Sequence, residues 1–224
     1  MRAVLLSLGL LLSLAAAGFA ADAAHNDSPR LFGKSYAQIL AMGETRWMAF
    51  QSNKAGSSTA DISEGLMVYR DALQWRNDRL AAHAPAPLRR EVAELRPLLT
   101  RFTDSMILVR MFPTGGGSMW SNIHASVLTD SEDTLYHVLG GPGSKSKPRG
   151  TGEVLRMLSA CEREVEAHRH EAWNSEDTYA SARKSLGEAR SAAASIFKIA
   201  AKLPRKRSDA VLDFCVWVAK PGLN

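Results

Sequence analysis

Apolar positions recur at three- and four-residue intervals along most of this chain, the spacing that turns one face of an α-helix toward a core. The cleanest run is Leu88, Val92, Leu95, Leu99, Phe102, Met106 and Val109, which over about 22 residues predicts ~33 Å of helix. Pro97 falls off that seam and is expected to kink the helix outward without ending it. Before it, Tyr36, Leu40, Gly43, Trp47 and Phe50 predict a helix beginning near Ser35, with Gly43 on the seam. Ile62, Leu66, Tyr69, Leu73, Arg76 and Leu80 predict a second helix, capped by Ser58 or Thr59 with Asp61 in its first turn. Arg76 interrupts that stripe. It reads either as an arginine reaching out to solvent along its stem or as a buried cation awaiting a carboxylate or an anionic ligand.

The long helix runs into Arg110-Met-Phe-Pro-Thr-Gly-Gly-Gly-Ser-Met-Trp120, the sharpest interruption in the chain. Past it, Met119 to Leu128 is helical in pattern. Thr129 and Glu132 stand at capping-box spacing, so a broken helical pair is expected there. Residues 140–152 are rich in Gly, Lys and Pro and read as a flexible linker. A further helix is expected from about Glu153 to Trp173, with Leu158, Cys161, Val165, His168 and Ala172 on its seam. Asn174 or Ser175 then starts an alanine-rich one (Tyr179, Ala182, Leu186, Ala189, Ala193, Ile196, Ala200, Leu203) whose backbone can approach a neighbour closely. Ser208-Asp209 is expected to cap a last segment, Ala210 to Lys220. That segment is apolar nearly all round and reads as helix, because a lone strand would have no sheet to join. The whole is an all-α fold: an antiparallel helical bundle of six or seven helices with a glycine-rich turn mid-chain.

The N-terminus stands apart from this rhythm. Arg2, an apolar run from Val4 to Ala17 and the small residues around Gly18-Phe19-Ala20 form a secretory signal peptide over residues 1–20, cut near Ala20 with Ala23 as a second site. Its apolar run, about 14 residues, falls short of the ~20 that span a bilayer, and no later run is long enough for a transmembrane span. The expected location is therefore secreted or periplasmic. Residues 21–33 read as a disordered lead-in containing the sequon Asn26-Asp27-Ser28, and 34–224 as a single helical domain.

Export changes the reading of the cysteines. Cys161 and Cys215 are the chain's two. In an oxidising compartment an even pair points to one disulfide. It would close a loop of about 54 residues and stabilise by about 4 kcal/mol. The alternative is two small buried thiols.

Charge narrows the partners. The formal charge of +5 falls by one on loss of Arg2, and basic residues are interspersed with acidic ones, so no nucleic-acid footprint appears. The short basic runs Lys145-Ser146-Lys147-Pro148-Arg149 and Arg205-Lys206-Arg207 read as solvated loop charge, or as contacts for anionic lipid, cell-wall polymer or an acidic partner.

Three candidate chemistries remain. The turn Gly115-Gly116-Gly117 precedes a helix start, so its N–H groups, with Ser118 and Arg110, would suit a small anionic ligand. It lacks the Lys-Ser/Thr of a P-loop and reads equally as a plain turn. If the protein is an enzyme, a hydrolase or transferase would use Ser118 and His124 at this turn, although no nucleophile-elbow context surrounds Ser118. Glu164, His168 and His170 could bind a metal or haem on one helix, but neither His-Glu-x-x-His nor Glu-x-x-His spacing is present. Carboxylates four residues before a base are also ordinary helix-surface pairs. With no cofactor motif in view, the expectation is an exported, non-catalytic envelope or extracellular binding protein. Its partner would be a protein, a cell-envelope component or a small anionic ligand.

Overall fold

Where the apolar rhythm is uninterrupted, the chain is helix. A computed structural model describes residues 32–117, 119–142 and 147–220; the expected signal peptide, the Asn26 sequon, Ser118, Lys145 and Ser146 lie outside these. The described residues form eight α-helices and no strand. These are α1 (Tyr36–Met42), α2 (Glu44–Ala55), α3 (Thr59–His83), α4 (Ala86–Met111), α5 (Met119–Val138), α6 (Thr151–Ala167), α7 (Glu176–Ala200) and α8 (Arg205–Ala219). A 3₁₀ turn, Phe112–Thr114, follows α4. The fold is the all-α bundle that the periodicity predicts.

Several boundaries depart from the pattern, each for a local reason. The first predicted helix is broken at Gly43, whose φ of 74° ends α1 and opens α2; such a φ suits a residue without Cβ. The predicted break at Thr129 does not occur. Its hydroxyl donates back to the Ala125 carbonyl at 3.0 Å, so α5 continues as one rod and no capping box forms. α6 stops at Ala167, well before Trp173, with His168 as its C-cap. α8 begins at Arg205 behind Pro204 instead of at Ser208, since proline sits readily at a helix start. Ser58 and Ser175 do cap α3 and α7, each in a reciprocal box with the residue three positions on.

The helices bury two clusters. The larger is built on α4, all of whose predicted seam residues from Leu88 to Val109 are buried, packed most extensively against the alanine face of α7. α6 and α8 complete it. Pro97 sits on the exposed side, and α4 runs through it. The smaller cluster is Ile39, Trp47, Tyr69, Ala72 and Leu73, where α1 and α2 fold over α3. α5 joins the two, touching α3 on one side and α4 and α8 on the other.

The expected disulfide is absent. Cys161 and Cys215 are both free, buried thiols, and the Cys161 Sγ–H donates to the Ala219 carbonyl at 3.2 Å. The pair packs α6 against α8 as small apolar side chains do. Burial pushes the Cys161 thiol up to about 11 and the Cys215 thiol up to about 12. No helix among the described residues is long and apolar enough to cross a membrane.

Candidate functional site

The glycine turn is held by its own backbone. Gly115, Gly116 and Gly117 all have positive φ (70°, 81° and 131°), which is why glycine occupies each. The N–H of Gly115 donates to the Phe112 carbonyl at 3.4 Å and that of Gly116 to the Met111 carbonyl at 3.2 Å. Two of the donors that an anion would need are thus spent on closing the end of α4. The indole of Trp120 donates to the Thr114 hydroxyl at 3.2 Å, which itself donates to the Met111 carbonyl at 3.0 Å, tying the start of α5 to the end of α4.

Arg110 does not join them. Its guanidinium is buried, with Nη1 donating to the Val218 carbonyl at 3.2 Å, near the C-terminus of α8. There it meets the negative end of a helix dipole. Desolvation lowers its pKa, opposed by the nearby Cys161 and Glu164.

What surrounds the turn is apolar. Thr114, Gly116 and Gly117 form one wall of a groove of ≈ 1290 Å³ that also touches α2, α3, α5 and Trp217 of α8. Met48, Ile62, Leu66, Met119, Trp120, Ile123 and Val127 supply most of its surface, with Glu44, Ser52, Asn122 and Ser126 as scattered polar groups. Met119 is 69% exposed and Trp217 lies partly open to solvent. On the other side of Gly117 and Trp120 lies a second groove of ≈ 920 Å³, lined by Asp104, Leu108, Ser63, Ser121 and His124 among others. A smaller hollow of ≈ 200 Å³ lies against Gly115 and Trp173. Trp173 packs so closely there that a Cβ on Gly115 would come within 2.9 Å of its ring.

His124 is held in the second groove by Asp104, with Nε2 and Oδ1 2.7 Å apart. Ser63 Oγ donates to Asn122 Oδ1 at 2.6 Å and lies 3.1 Å from Ser121 Oγ. The structure thus gives His124 a carboxylate partner twenty residues away that periodicity could not nominate, and it separates His124 from Arg110.

The Glu164, His168 and His170 set is dispersed. α6 ends between Glu164 and His168, and His168 Nδ1 bonds the Glu164 carbonyl at 2.9 Å. The neighbouring carboxylates are engaged across the α6–α7 seam: Glu162 with Arg190 and Arg183, and Glu166 with Arg183 and the Tyr179 hydroxyl. Among the described residues no three His, Cys, Asp or Glu side chains are grouped as a metal site requires.

Sequence reasoning missed a buried polar lattice on the far side of α5. The fully buried Glu132 accepts from Asn77 Nδ2 at 3.0 Å and pairs with Arg96 Nε at 2.9 Å, while Arg96 also reaches Asp78 at 2.6 Å. Arg76 falls between its two sequence readings: partly buried, it pairs with Asp133 at 3.0 Å and stacks 3.7 Å from the Tyr136 ring centre. Close by, Glu44, Asp130 and Asp133 act on one another. Desolvation, then the charges of Glu44 and Asp133, push Asp130 up to about 7, and desolvation and Asp133 raise Glu44. One signal was visible: Glu132 falls seven residues after Ala125 and three before Leu135, on the buried seam of α5.

No protein-family model, curated protein or solved structure matches this chain.

Proposed function

We propose that this is an exported, non-catalytic binding protein whose ligand lies in the groove beside the glycine turn. The observation that carries the reading is the groove itself: ≈ 1290 Å³, mostly apolar, with few polar groups, at the junction of four helices and a tight turn. Ligand sites are typically concave and apolar with a small number of placed polar side chains. The exposed Met119 and the flexible Met48 give the wall the adaptability that methionine lends to binding surfaces. The three positive-φ glycines keep the chain tight at the rim, where side chains would strain the turn.

The test is titration with the neutral apolar fluorophore N-phenyl-1-naphthylamine. Saturable, one-to-one enhancement is expected, and Ile123→Gln should weaken it by at least tenfold with helix content retained. His124→Ala, in the other groove, should leave it unchanged. Equal binding by Ile123→Gln and the parent would sink the proposal.

A second reading rests on the His124–Asp104 pair at 2.7 Å, an oriented imidazole of the kind general-base hydrolysis employs. It requires turnover of a small ester that vanishes in His124→Ala and survives Ile123→Gln. The binding reading expects no turnover above buffer.

A further inference from the structure

The chain carries 28 Lys and Arg against 23 Asp and Glu, yet among the described residues no Lys or Arg lines the large groove. Among its described lining residues the one charged side chain is Glu44. Glu44 occupies the first turn of α2.

Its surroundings add negative charge. Asp130 and Asp133 on α5 lie within electrostatic reach of Glu44. Asp133 is satisfied by Arg76. Among the described residues no Lys, Arg or His forms an ion pair with Glu44 or Asp130, so no described cation compensates the negative charge at this end of the groove. Carboxylates held close to one another are stabilised together by an incoming cation. Independently, Trp120 and Trp217 line the same groove, and the faces of indole rings attract ammonium groups.

We propose that the ligand of this groove is an amphiphile with a cationic head group, the head placed beside Glu44 and the apolar body along Trp120, Ile123 and Met119. This rests on the groove being the binding site. It reverses the sign of the ligand that the glycine turn alone suggests, because the Gly115 and Gly116 donors are spent within the turn and the groove's one charged lining side chain is Glu44.

The experiment is calorimetric titration of the full chain with three ten-carbon amphiphiles below their micelle concentrations: decyltrimethylammonium, decyl maltoside and decanoate. Decyltrimethylammonium is expected to bind at least tenfold more tightly than decyl maltoside, with decanoate weakest. Glu44→Gln should bring the cationic and neutral ligands to within about twofold of each other, leaving the affinity for decyl maltoside unchanged. Equal affinity for all three head groups, or a cation preference that survives Glu44→Gln, overturns the head-group assignment and leaves the groove standing. Absence of binding by every tail, or binding indifferent to both Ile123→Gln and Met119→Gln, overturns the groove itself. Met119 is largely solvent-exposed, so its substitution spares the fold and the second arm remains readable if Ile123→Gln perturbs packing.

Discussion

The two apolar clusters are held together by different means. The large one is chiefly packing: α4 and α7 lie face to face, bulky seam residues against alanines, with α6 and α8 closing around them and a few bonds such as Arg110 to the Val218 carbonyl added to it. The small one has five buried residues and leans on directed hydrogen bonds. The Trp47 indole donates to the Gly65 carbonyl at 2.7 Å, and Gln51 Nε2 donates to the Asp61 carbonyl at 2.8 Å. Gly65 permits the approach, since a Cβ there would come within 3.0 Å of the Gln51 side chain. A small apolar area offers little to offset the chain entropy of ordering α1 and α2, so the bonds carry a larger share. The groove lies where the two regimes meet, walled by α2 and α3 from one side and by α5 and Trp217 from the other. Ligand sites are drawn from parts of a fold that open at low cost, and the proposed ligand groove lies at the weaker seam.

That contrast is most open to attack by large-to-small substitution. Phe102→Ala, at a fully buried position of the large cluster, should cost about 3–5 kcal/mol and lower protection of every helix together. Trp47→Ala, also fully buried, removes a comparable side chain and the Gly65 bond. Its loss should appear first as hydrogen exchange in α1 and α2, with α4 and α7 still protected. Hydrogen exchange followed by mass spectrometry reads both. If Trp47→Ala deprotects α4 and α7 to the same degree, the two clusters are one cooperative unit and the comparison fails.

The same division separates what was legible in the sequence from what was not. Every predicted seam residue of α4 is buried because a long three–four rhythm leaves a helix one way to face a core. The alanine seam of α7 was legible for the same reason. Periodicity could not decide Gly43, where a helix with a tolerated glycine and two helices split at a positive φ share one pattern. Nor could it decide Thr129, whose spacing to Glu132 fits a cap but whose hydroxyl bonds back along its own helix. The glycine turn was legible as an interruption between two helices. Its groove was not legible, because Glu44, Ile62, Ile123 and Trp217 come from four helices, and which helices pack together is not encoded in any one of them. Cysteine number suggested a bridge. Only packing shows both thiols lodged as apolar filling between α6 and α8.

A smaller effect should mark the small-cluster side of α5. The Asp130 carboxyl is raised from 3.8 to about 7 by desolvation and by Glu44 and Asp133. A carboxyl raised on folding stabilises below its unfolded pKa, and that contribution is lost as pH climbs through the folded value. The unfolded chain gives up this proton near pH 4 and the folded chain near pH 7, so the fold loses stability across that window. Asp130→Asn should therefore raise stability by on the order of 1–2 kcal/mol at pH 8 and change it little at pH 4. Thermal melts at the two pH values check the sign. A variant that is destabilised at pH 8 would mean that Asp130 is held by a favourable charge interaction instead.

The smallest effect belongs to the large cluster, where two cysteines in a chain expected to be exported invite the opposite expectation. A disulfide closing about 54 residues would contribute about 4 kcal/mol, and reduction would lower the melting temperature of a domain this size by several degrees. With both thiols free and buried, reductant should leave the melting curve where it was. Their raised pKa values, about 11 and about 12, leave almost no thiolate at pH 8, and the thiolate is the nucleophile. Iodoacetamide should therefore label neither cysteine in the native chain and both after unfolding without reductant, each adduct countable by mass. Labelling of the unfolded chain only after reduction would show a covalent link between α6 and α8, and the large cluster would no longer stand as the region held chiefly by packing.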